Sequence, residues 1–228
     1  MLLALALSAC ATRERPVDPA DYDTFWLWGG AAPREVLAHA RELYLLDGEV
    51  LDRNGDVGFR ALRAEAPRLP GKRLWLTVRT DTLAWPEPAY GLILRHLDQW
   101  RAAGNAVAGV QIDFDARTKR LEGYGAFLVG LRRRLPAGTG LSVTGLLDWS
   151  ANGDPAALAR LAGTVDEVAI QTYQGRTTIP GYESYLRRLD GFPVPFRIGV
   201  VENGRWREPP GVARNPKFRG YVVFLQPS

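Results

Sequence analysis

Short apolar runs with strand character alternate with helical stretches along most of this chain. Strand-like runs are predicted at residues 24–28, 43–51, 73–79, 109–115, 141–147, 168–173, 196–201 and 221–225. Helical spacing is predicted at residues 33–40, 58–66, 88–103, 121–135, 155–161 and 182–189. Strands that alternate with helices form right-handed βαβ units and a parallel sheet. About eight such strands in about 205 residues therefore predict one small α/β domain, a (β/α)8 barrel of the TIM type.

The last repeat is the weakest part of this pattern. Residues 202–217 contain Pro209 and Pro210 and show no helical spacing, so we expect a truncated closing unit. A doubly wound open sheet is the alternative architecture. It is disfavoured because the first strand is not followed by the G-x-G-x-x-G sequence with which such folds bind dinucleotides.

The N-terminal segment predicts a lipid anchor. The first ten residues are apolar and end in LSAC, which resembles a bacterial lipobox with Cys10 as the acylated residue. The run is too short to span a bilayer, which needs about 20 residues. We predict a lipoprotein signal peptide at 1–9 whose basic start lies upstream, an anchor and tether at 10–21, and a barrel domain at 22–228. The alternative is a buried N-terminal strand with an incidental cysteine.

This anchor predicts a location in the bacterial cell envelope. No Asp follows Cys10 directly, which resembles lipoproteins sent to the outer membrane, so we expect the protein there, facing the periplasm. Lipid on Cys10 would be its only membrane attachment. The net charge of +4 is modest and the Arg residues are scattered, so we expect no nucleic-acid partner.

The scarcity of histidine and cysteine excludes several classes of site. Cys10 is the single cysteine, so the chain has no internal disulfide. His39 and His96 are the only histidines and fall in predicted helices that face away from the strand ends. A Ser-His-Asp triad and a catalytic zinc site both need histidine at the site. We therefore expect no metal and no cofactor, and we expect a monomer.

Two carboxylates stand close together at the end of the predicted fourth strand, residues 109–115 (GVQIDFD). Side chains alternate along a strand, so Gln111, Asp113 and Asp115 share one face and the apolar residues between them share the other. Neighbouring Asp residues repel each other when both are ionised, so we expect them at a ligand or catalytic site. They should titrate as a coupled pair that keeps one proton to unusually high pH.

Further polar and aromatic residues follow the other predicted strands, where barrel active sites lie. The candidates for substrate contact are Trp28, Arg79, Gln111, Asp148, Trp149, Gln171, Tyr173 and Gln174. Indole rings stack on sugar faces, while carboxylates, amides and guanidinium groups bind sugar hydroxyls. This mixture predicts a glycan as the ligand. The alternative for each Trp is a place in the core, which is the commoner one.

The chain resembles an uncharacterised bacterial barrel family, domain-of-unknown-function family 3142. The resemblance lies in the Trp-rich first strand, in residues 109–115, in the helix at 121–135 and in residues 141–144 and 165–171. It implies a barrel fold and brings no established activity.

A more distant resemblance is to family-eighteen glycoside hydrolases, the chitinases and their non-catalytic relatives. Their fourth strand carries D-G-x-D-x-D-x-E, in which the Glu is the general acid and the preceding Asp orients the substrate acetamide. The resemblance implies that Asp115 is the acid, Asp113 the assisting group and Tyr173 the tyrosine of the sixth-strand M-x-Y-D motif. The chain departs from these motifs at Ala108, Gln111, Asp115 and Gln174.

Three functional hypotheses follow. In the first, a lipid-anchored hydrolase cleaves an envelope or extracellular glycan, with Asp115 protonating the glycosidic oxygen and Asp113, Gln171 and Tyr173 orienting the substrate. The second is a non-catalytic glycan-binding or scaffold lipoprotein that uses the same cleft. The third is an envelope structural protein whose carboxylates bond only to backbone or Arg79. An open pocket at the carboxylates would distinguish the first two from the third.

Overall fold

The computed structural model describes residues 14–28 and 35–226, which contain a closed barrel of eight parallel strands. The strands are β1 (Thr24–Leu27), β2 (Glu42–Arg53), β3 (Arg73–Thr80), β4 (Ala106–Asp113), β5 (Gly140–Leu146), β6 (Glu167–Gln171), β7 (Phe196–Val201) and β8 (Phe218–Phe224). Each strand pairs with the next, and β8 pairs with β1, which closes the ring. The predicted α/β barrel is confirmed, and the open sheet is excluded.

Helices cover the outside of the barrel. They are α1 (Glu87–Ala102), α2 (Leu121–Arg134), α3 (Trp149–Asn152), α4 (Pro155–Ala162) and α5 (Tyr182–Leu186). Short 3-10 helices lie at Pro19–Asp21, Glu35–Ala38, Thr118–Arg120, Leu189–Gly191 and Val212–Arg214. In the described chain, the one helix between β7 and β8 is the single turn at Val212–Arg214, so the last repeat is truncated as predicted.

One predicted helix is wrong. Residues 58–66 do not form a helix, because Asp56–Ala61 is a strand that pairs antiparallel with β2. Asn54 and Gly55 form the turn between these strands, with φ of 56° and 89°. Two positive φ values in succession are typical of the type I′ turn that joins two strands in a hairpin.

Other short pairings complete the structure. Tyr173–Gln174 pairs antiparallel with Thr177–Thr178 after β6, so Tyr173 lies beyond the strand in which it was predicted. His39 follows the 3-10 helix at Glu35–Ala38 instead of lying within a helix. His96 lies on α1, and its Nδ1 is 2.8 Å from Oδ2 of the buried Asp47 on β2.

The barrel has separate inner and outer cores. Val110 and Ile112 of β4 pack with the buried faces of α1 and α2 in the outer core. Trp26, Tyr44 and Trp75 form a separate cluster with small residues from other strands. This division follows from the alternation of side chains along each strand.

Two glycines allow β4 and β5 to approach each other. A Cβ on Gly109 would lie 2.0 Å from the carbonyl oxygen of Gly140, and one on Gly140 would lie 2.7 Å from Trp75 Cη2. These positions therefore have no room for a side chain, and the space is taken by backbone and by the Trp75 ring.

A network of ion pairs and hydrogen bonds lies at the amino ends of the strands, and we call it the barrel floor. Arg197 donates to Glu167 Oε2 at 2.9 Å and to Glu42 Oε2 at 2.5 Å. Tyr44 donates to Glu167 Oε1, and Trp75 Nε1 donates to Glu42 Oε1, both at 2.6 Å. These partners stabilise charges that would be costly to bury alone.

The N-terminal segment is attached to the barrel as far as it is described. Arg15–Pro16 pairs antiparallel with Arg205–Trp206, and the Val17 amide donates to the Gly204 carbonyl at 2.9 Å. Residues 14–21, predicted as part of a tether, are therefore part of the folded unit. Cys10 and the signal peptide predicted at 1–9 lie outside the described residues. No helix within the described ranges is long and apolar enough to cross a bilayer.

Candidate functional site

A cavity of about 440 Å³ opens at the carboxyl ends of β4, β5 and β6, and we call it the mouth cavity. Asp115 lines it from β4, Asp148 from β5, and Gln171, Tyr173 and Gln174 from β6 and the hairpin that follows. These five residues were all predicted as site residues. Apolar side chains complete the lining, namely Leu146, Leu147, Ile179 and Tyr185. A concave site with a few polar groups on apolar walls is typical of small-molecule and sugar pockets.

Asp113 is the last residue of β4 and is buried beneath the mouth of the barrel, with 7% of its surface exposed. Burial raises the pKa of its carboxyl from 3.8 to about 6. A hydrogen bond from Thr144 Oγ1 at 2.9 Å and the positive charge of Arg79 both oppose this rise in pKa. The negative charge of Asp115 adds to the rise. Asp113 therefore takes up a proton well above the pH range of an ordinary aspartate.

Asp115 lies two residues beyond the strand end and is exposed. Its carboxyl is free of the burial that acts on Asp113, and it belongs to the cavity lining. The strand ends before Asp115, so the predicted alternation reaches only Asp113; one carboxyl is buried, and its neighbour faces a ligand-sized space. This is the open pocket that distinguishes a site from a structural role.

Asp148 follows β5 and precedes α3. Its Oδ1 atom is buried and has no hydrogen-bond partner among the described residues. Burial also raises the pKa of this carboxyl. An unpartnered buried oxygen at the edge of a cavity is an acceptor that a ligand donor can satisfy.

Tyr173 lies next to the two aspartates and to an aromatic cluster. Burial, and then the charges of Asp113 and Asp115, raise the pKa of its hydroxyl well above the usual value, so it stays a proton donor. Its ring stacks on Phe224, with ring centroids 5.6 Å apart and planes at 18°. Phe224 was not predicted as a site residue, although its place at the end of β8 was a signal that could have identified it.

Trp28 and Arg79 form a second group at the barrel mouth, outside the lining of the mouth cavity. Trp28 is half-buried and packs edge-to-face on Phe224 at 5.6 Å. The Arg79 guanidinium lies 5.4 Å from the Trp28 ring centroid, and its Nη1 is 4.0 Å from Glu49 Oε1. The structure therefore brings these two predicted residues to each other and to the aromatic cluster.

Two predicted contact residues are corrected by the structure. Gln111 is completely buried inside the barrel, where its Oε1 accepts from Trp26 Nε1 at 2.6 Å and its Nε2 donates to Ser142 at 3.0 Å. Trp149 is 1% exposed, and its Nε1 donates to the Ala116 carbonyl at 2.7 Å. Both side chains have internal partners and neither reaches the mouth cavity, so their role is to support the barrel.

No metal centre is found within residues 14–28 and 35–226, where no three His, Cys, Asp or Glu side chains converge on one point. The polar groups that line the mouth cavity are carboxyls, amides and phenols.

Comparison with known proteins gives a family match and a fold match. Residues 80–185 match the family model described as Domain of unknown function (DUF3142). The chain resembles this family. The matched range runs from the end of β3 to α5 and includes Asp113 at the end of β4 and Asp115 just beyond it. The comparison with curated proteins gives no significant match.

Solved structures with a similar fold include a chitinase domain, a chitinase-like lectin and an enzyme-inhibitor protein. The chitinase domain of the spore coat protein CotE from Clostridium difficile is 13% identical, with 90% of this chain and 70% of that chain covered and a TM-score of 0.52. A chitinase-like lectin from tamarind is 10% identical, with 89% and 94% covered and a TM-score of 0.53. The xylanase and α-amylase inhibitor protein XAIP-II from Scadoxus multiflorus is 11% identical, with 89% and 92% covered and a TM-score of 0.53. Both predicted resemblances are confirmed, the distant one at the level of the fold.

Proposed function

We propose that this protein is a lipid-anchored, glycoside-hydrolase-like barrel that binds an envelope or extracellular glycan in the mouth cavity and hydrolyses it with the Asp113–Asp115 pair. The observation that carries the proposal is the pairing of a buried, proton-retaining Asp113 with an exposed Asp115 in the lining of that cavity. The chitinase domain among the proteins of similar fold supports the same class of chemistry.

The proposed reaction is acid-catalysed cleavage of a glycosidic bond. Asp115 gives a proton to the glycosidic oxygen while the bond from that oxygen to the anomeric carbon breaks. Above about pH 6 Asp113 is ionised, and its carboxylate stabilises the positive charge that develops on the sugar, while Tyr173 and Gln171 orient the sugar. Water then adds its oxygen to the anomeric carbon and returns a proton to Asp115, which restores the pair.

The test is turnover of aryl glycosides and purified envelope glycans by the wild type and by Asp115→Asn. We expect release of product by the wild type, with loss of nearly all activity in the variant. Asp98→Asn is the matched control, because Asp98 is an exposed carboxyl on α1 outside the cavity. Full activity in Asp115→Asn would show that the role of this residue is wrong.

A second candidate is a non-catalytic glycan-binding protein. The departures of this chain from the family-eighteen motifs at Ala108, Gln111, Asp115 and Gln174 favour it. The chitinase-like lectin of similar fold supports this candidate. It predicts glycan binding that survives Asp115→Asn and disappears in Trp28→Ala, and a wild type that binds no glycan would contradict it.

The lipid anchor is a separate part of the proposal and is based on the sequence around Cys10. Metabolic labelling with a radioactive fatty acid should mark the wild type and leave Cys10→Ser unlabelled. Equal labelling of both would contradict acylation at this residue, and fractionation of labelled cells would test the outer-membrane location.

A further inference from the structure

The mouth cavity has an unbalanced charge. Two carboxyls line it, those of Asp115 and Asp148, and no Lys, Arg or His of the described chain belongs to its lining. Asp113 adds a third carboxyl directly beneath the mouth. Sites lined by one sign of charge favour ligands of the opposite sign and repel those of the same sign.

The charge of Arg79 acts on Asp113 beneath the mouth, but no basic side chain among the described residues belongs to the lining of the cavity. Arg79 lies over the Trp28 ring and beside Glu49, outside the cavity lining. Arg176 follows Gly175 of the cavity but is itself exposed and is not part of the lining. The carboxyls therefore lack a cation from the protein within the space that a ligand would occupy.

We propose that the mouth cavity selects a glycan whose sugars carry free amino groups, with Asp148 as the residue that pairs with the ammonium. This inference rests on the proposed glycan-binding function and specifies its substrate class. A hexosamine ammonium brings three N–H donors and one positive charge, which would satisfy the unpartnered acceptor of Asp148 and offset the charge of Asp115.

Other sugars fit this cavity less well. An acetylated amine has one N–H and no charge, so it leaves the carboxyls without a counterion. A uronic acid or a phosphorylated sugar would place a further negative charge among them, which costs binding energy. The amide groups of Gln171 and Gln174 can bind the hydroxyls of any of these sugars and so contribute little to the choice.

The test is isothermal titration calorimetry of the purified full chain with three tetrasaccharides: glucosamine, N-acetylglucosamine and galacturonic acid. We expect the glucosamine oligomer to bind about tenfold more tightly than the acetylated one, which is the size of one hydrogen bond to a charged group. Its affinity should fall as salt is added, and the galacturonic acid oligomer should not bind.

Asp148→Asn removes the charge while keeping the shape of the side chain, and Asp98→Asn serves as the control. We expect Asp148→Asn to weaken glucosamine binding about tenfold and to weaken N-acetylglucosamine binding much less, so that the preference for glucosamine is lost, while Asp98→Asn should leave both affinities unchanged. Thermal melting of each variant checks that it is folded.

Equal or tighter binding of the acetylated oligomer would overturn the inference and leave the proposed glycan-binding function intact. Glucosamine binding that is unchanged in a folded Asp148→Asn would overturn the role of Asp148. Failure of all three sugars to bind would contradict the proposed function and this inference together, so the two failures are distinguishable.

Discussion

Replacing Asp113 by Asn should stabilise the protein at neutral pH relative to acid pH. In the folded wild type, burial raises the pKa of Asp113 from 3.8 to about 6, which corresponds to a penalty on the order of 3 kcal/mol for ionising the carboxyl. Asn carries no such charge and keeps an oxygen that can accept the hydrogen bond from Thr144. The penalty is therefore removed while the main polar contact is retained.

The sign of the effect follows from proton linkage. Below pH 3.8 the carboxyl is protonated in the folded and the unfolded chain, so its burial does not lower the free energy of unfolding of the wild type there. Between pH 3.8 and about 6 the unfolded chain loses its proton first, so the wild type loses stability as the pH rises. Above about pH 6 the loss is complete and stays constant.

Urea unfolding of both proteins between pH 4 and pH 8 measures this effect. The free energy of unfolding of Asp113→Asn minus that of the wild type should increase across this range by up to about 3 kcal/mol. Any cost of placing the Asn amide is the same at every pH and cancels from the slope. A difference that stays flat, or that decreases with pH, would refute the assignment of a buried, proton-retaining Asp113, and Asp98→Asn should show a flat difference.

Two further variants test the barrel itself. Arg197→Ala leaves the Glu42 and Glu167 carboxylates of the barrel floor without their shared partner, so we expect urea unfolding to show a free energy of unfolding lower by about 3–5 kcal/mol. A decrease under about 1 kcal/mol would contradict the network. Gly109→Ala forces a Cβ to within 2.0 Å of the Gly140 carbonyl oxygen, which should lower the free energy of unfolding by about 3 kcal/mol or more. We therefore expect the melting temperature to fall by about 10 °C or more, or the variant to fail to fold. A variant that melts like the wild type would contradict the close approach of β4 and β5.

The fold could be predicted from the sequence because its strands are apolar and separated by helical spacing. The predicted helix at 58–66, which the structure replaces with a strand, shows the limit of periodicity. Residues 58–66 contain Ala, Leu, Arg and Glu, which favour helices, but Asn54 and Gly55 immediately before them form the hairpin turn. Asn-Gly is a strong local hairpin signal, so the turn chemistry outweighs helix propensity here.

The candidate site was predictable only in part, because alternation gives the face of a strand but not the depth of each residue along the barrel. Gln111 and Asp113 share a face of β4, yet Gln111 lies one layer lower and bonds to Trp26 within the barrel. Trp149 follows a strand end like the other candidates, but α3 begins there and returns its ring to the core. Phe224 was missed because its importance comes from contacts with Tyr173 and Trp28, which are distant in sequence.

The two ends of the barrel differ in how many of their buried charged groups have partners, and this difference favours the mouth as the proposed site. A polar cavity of about 690 Å³ at the amino ends of the strands is larger than the mouth cavity. Its buried carboxylates Glu42 and Glu167 are held by Arg197 and by neighbouring rings, so ligand binding there would have to compete with existing ion pairs. At the mouth, Asp113 is buried at a cost to its ionisation and Asp148 has an oxygen without a partner. Buried polar groups ordinarily have hydrogen-bond partners, and exceptions are concentrated at functional sites. The smaller cavity is therefore the one in which a ligand would supply the missing partners.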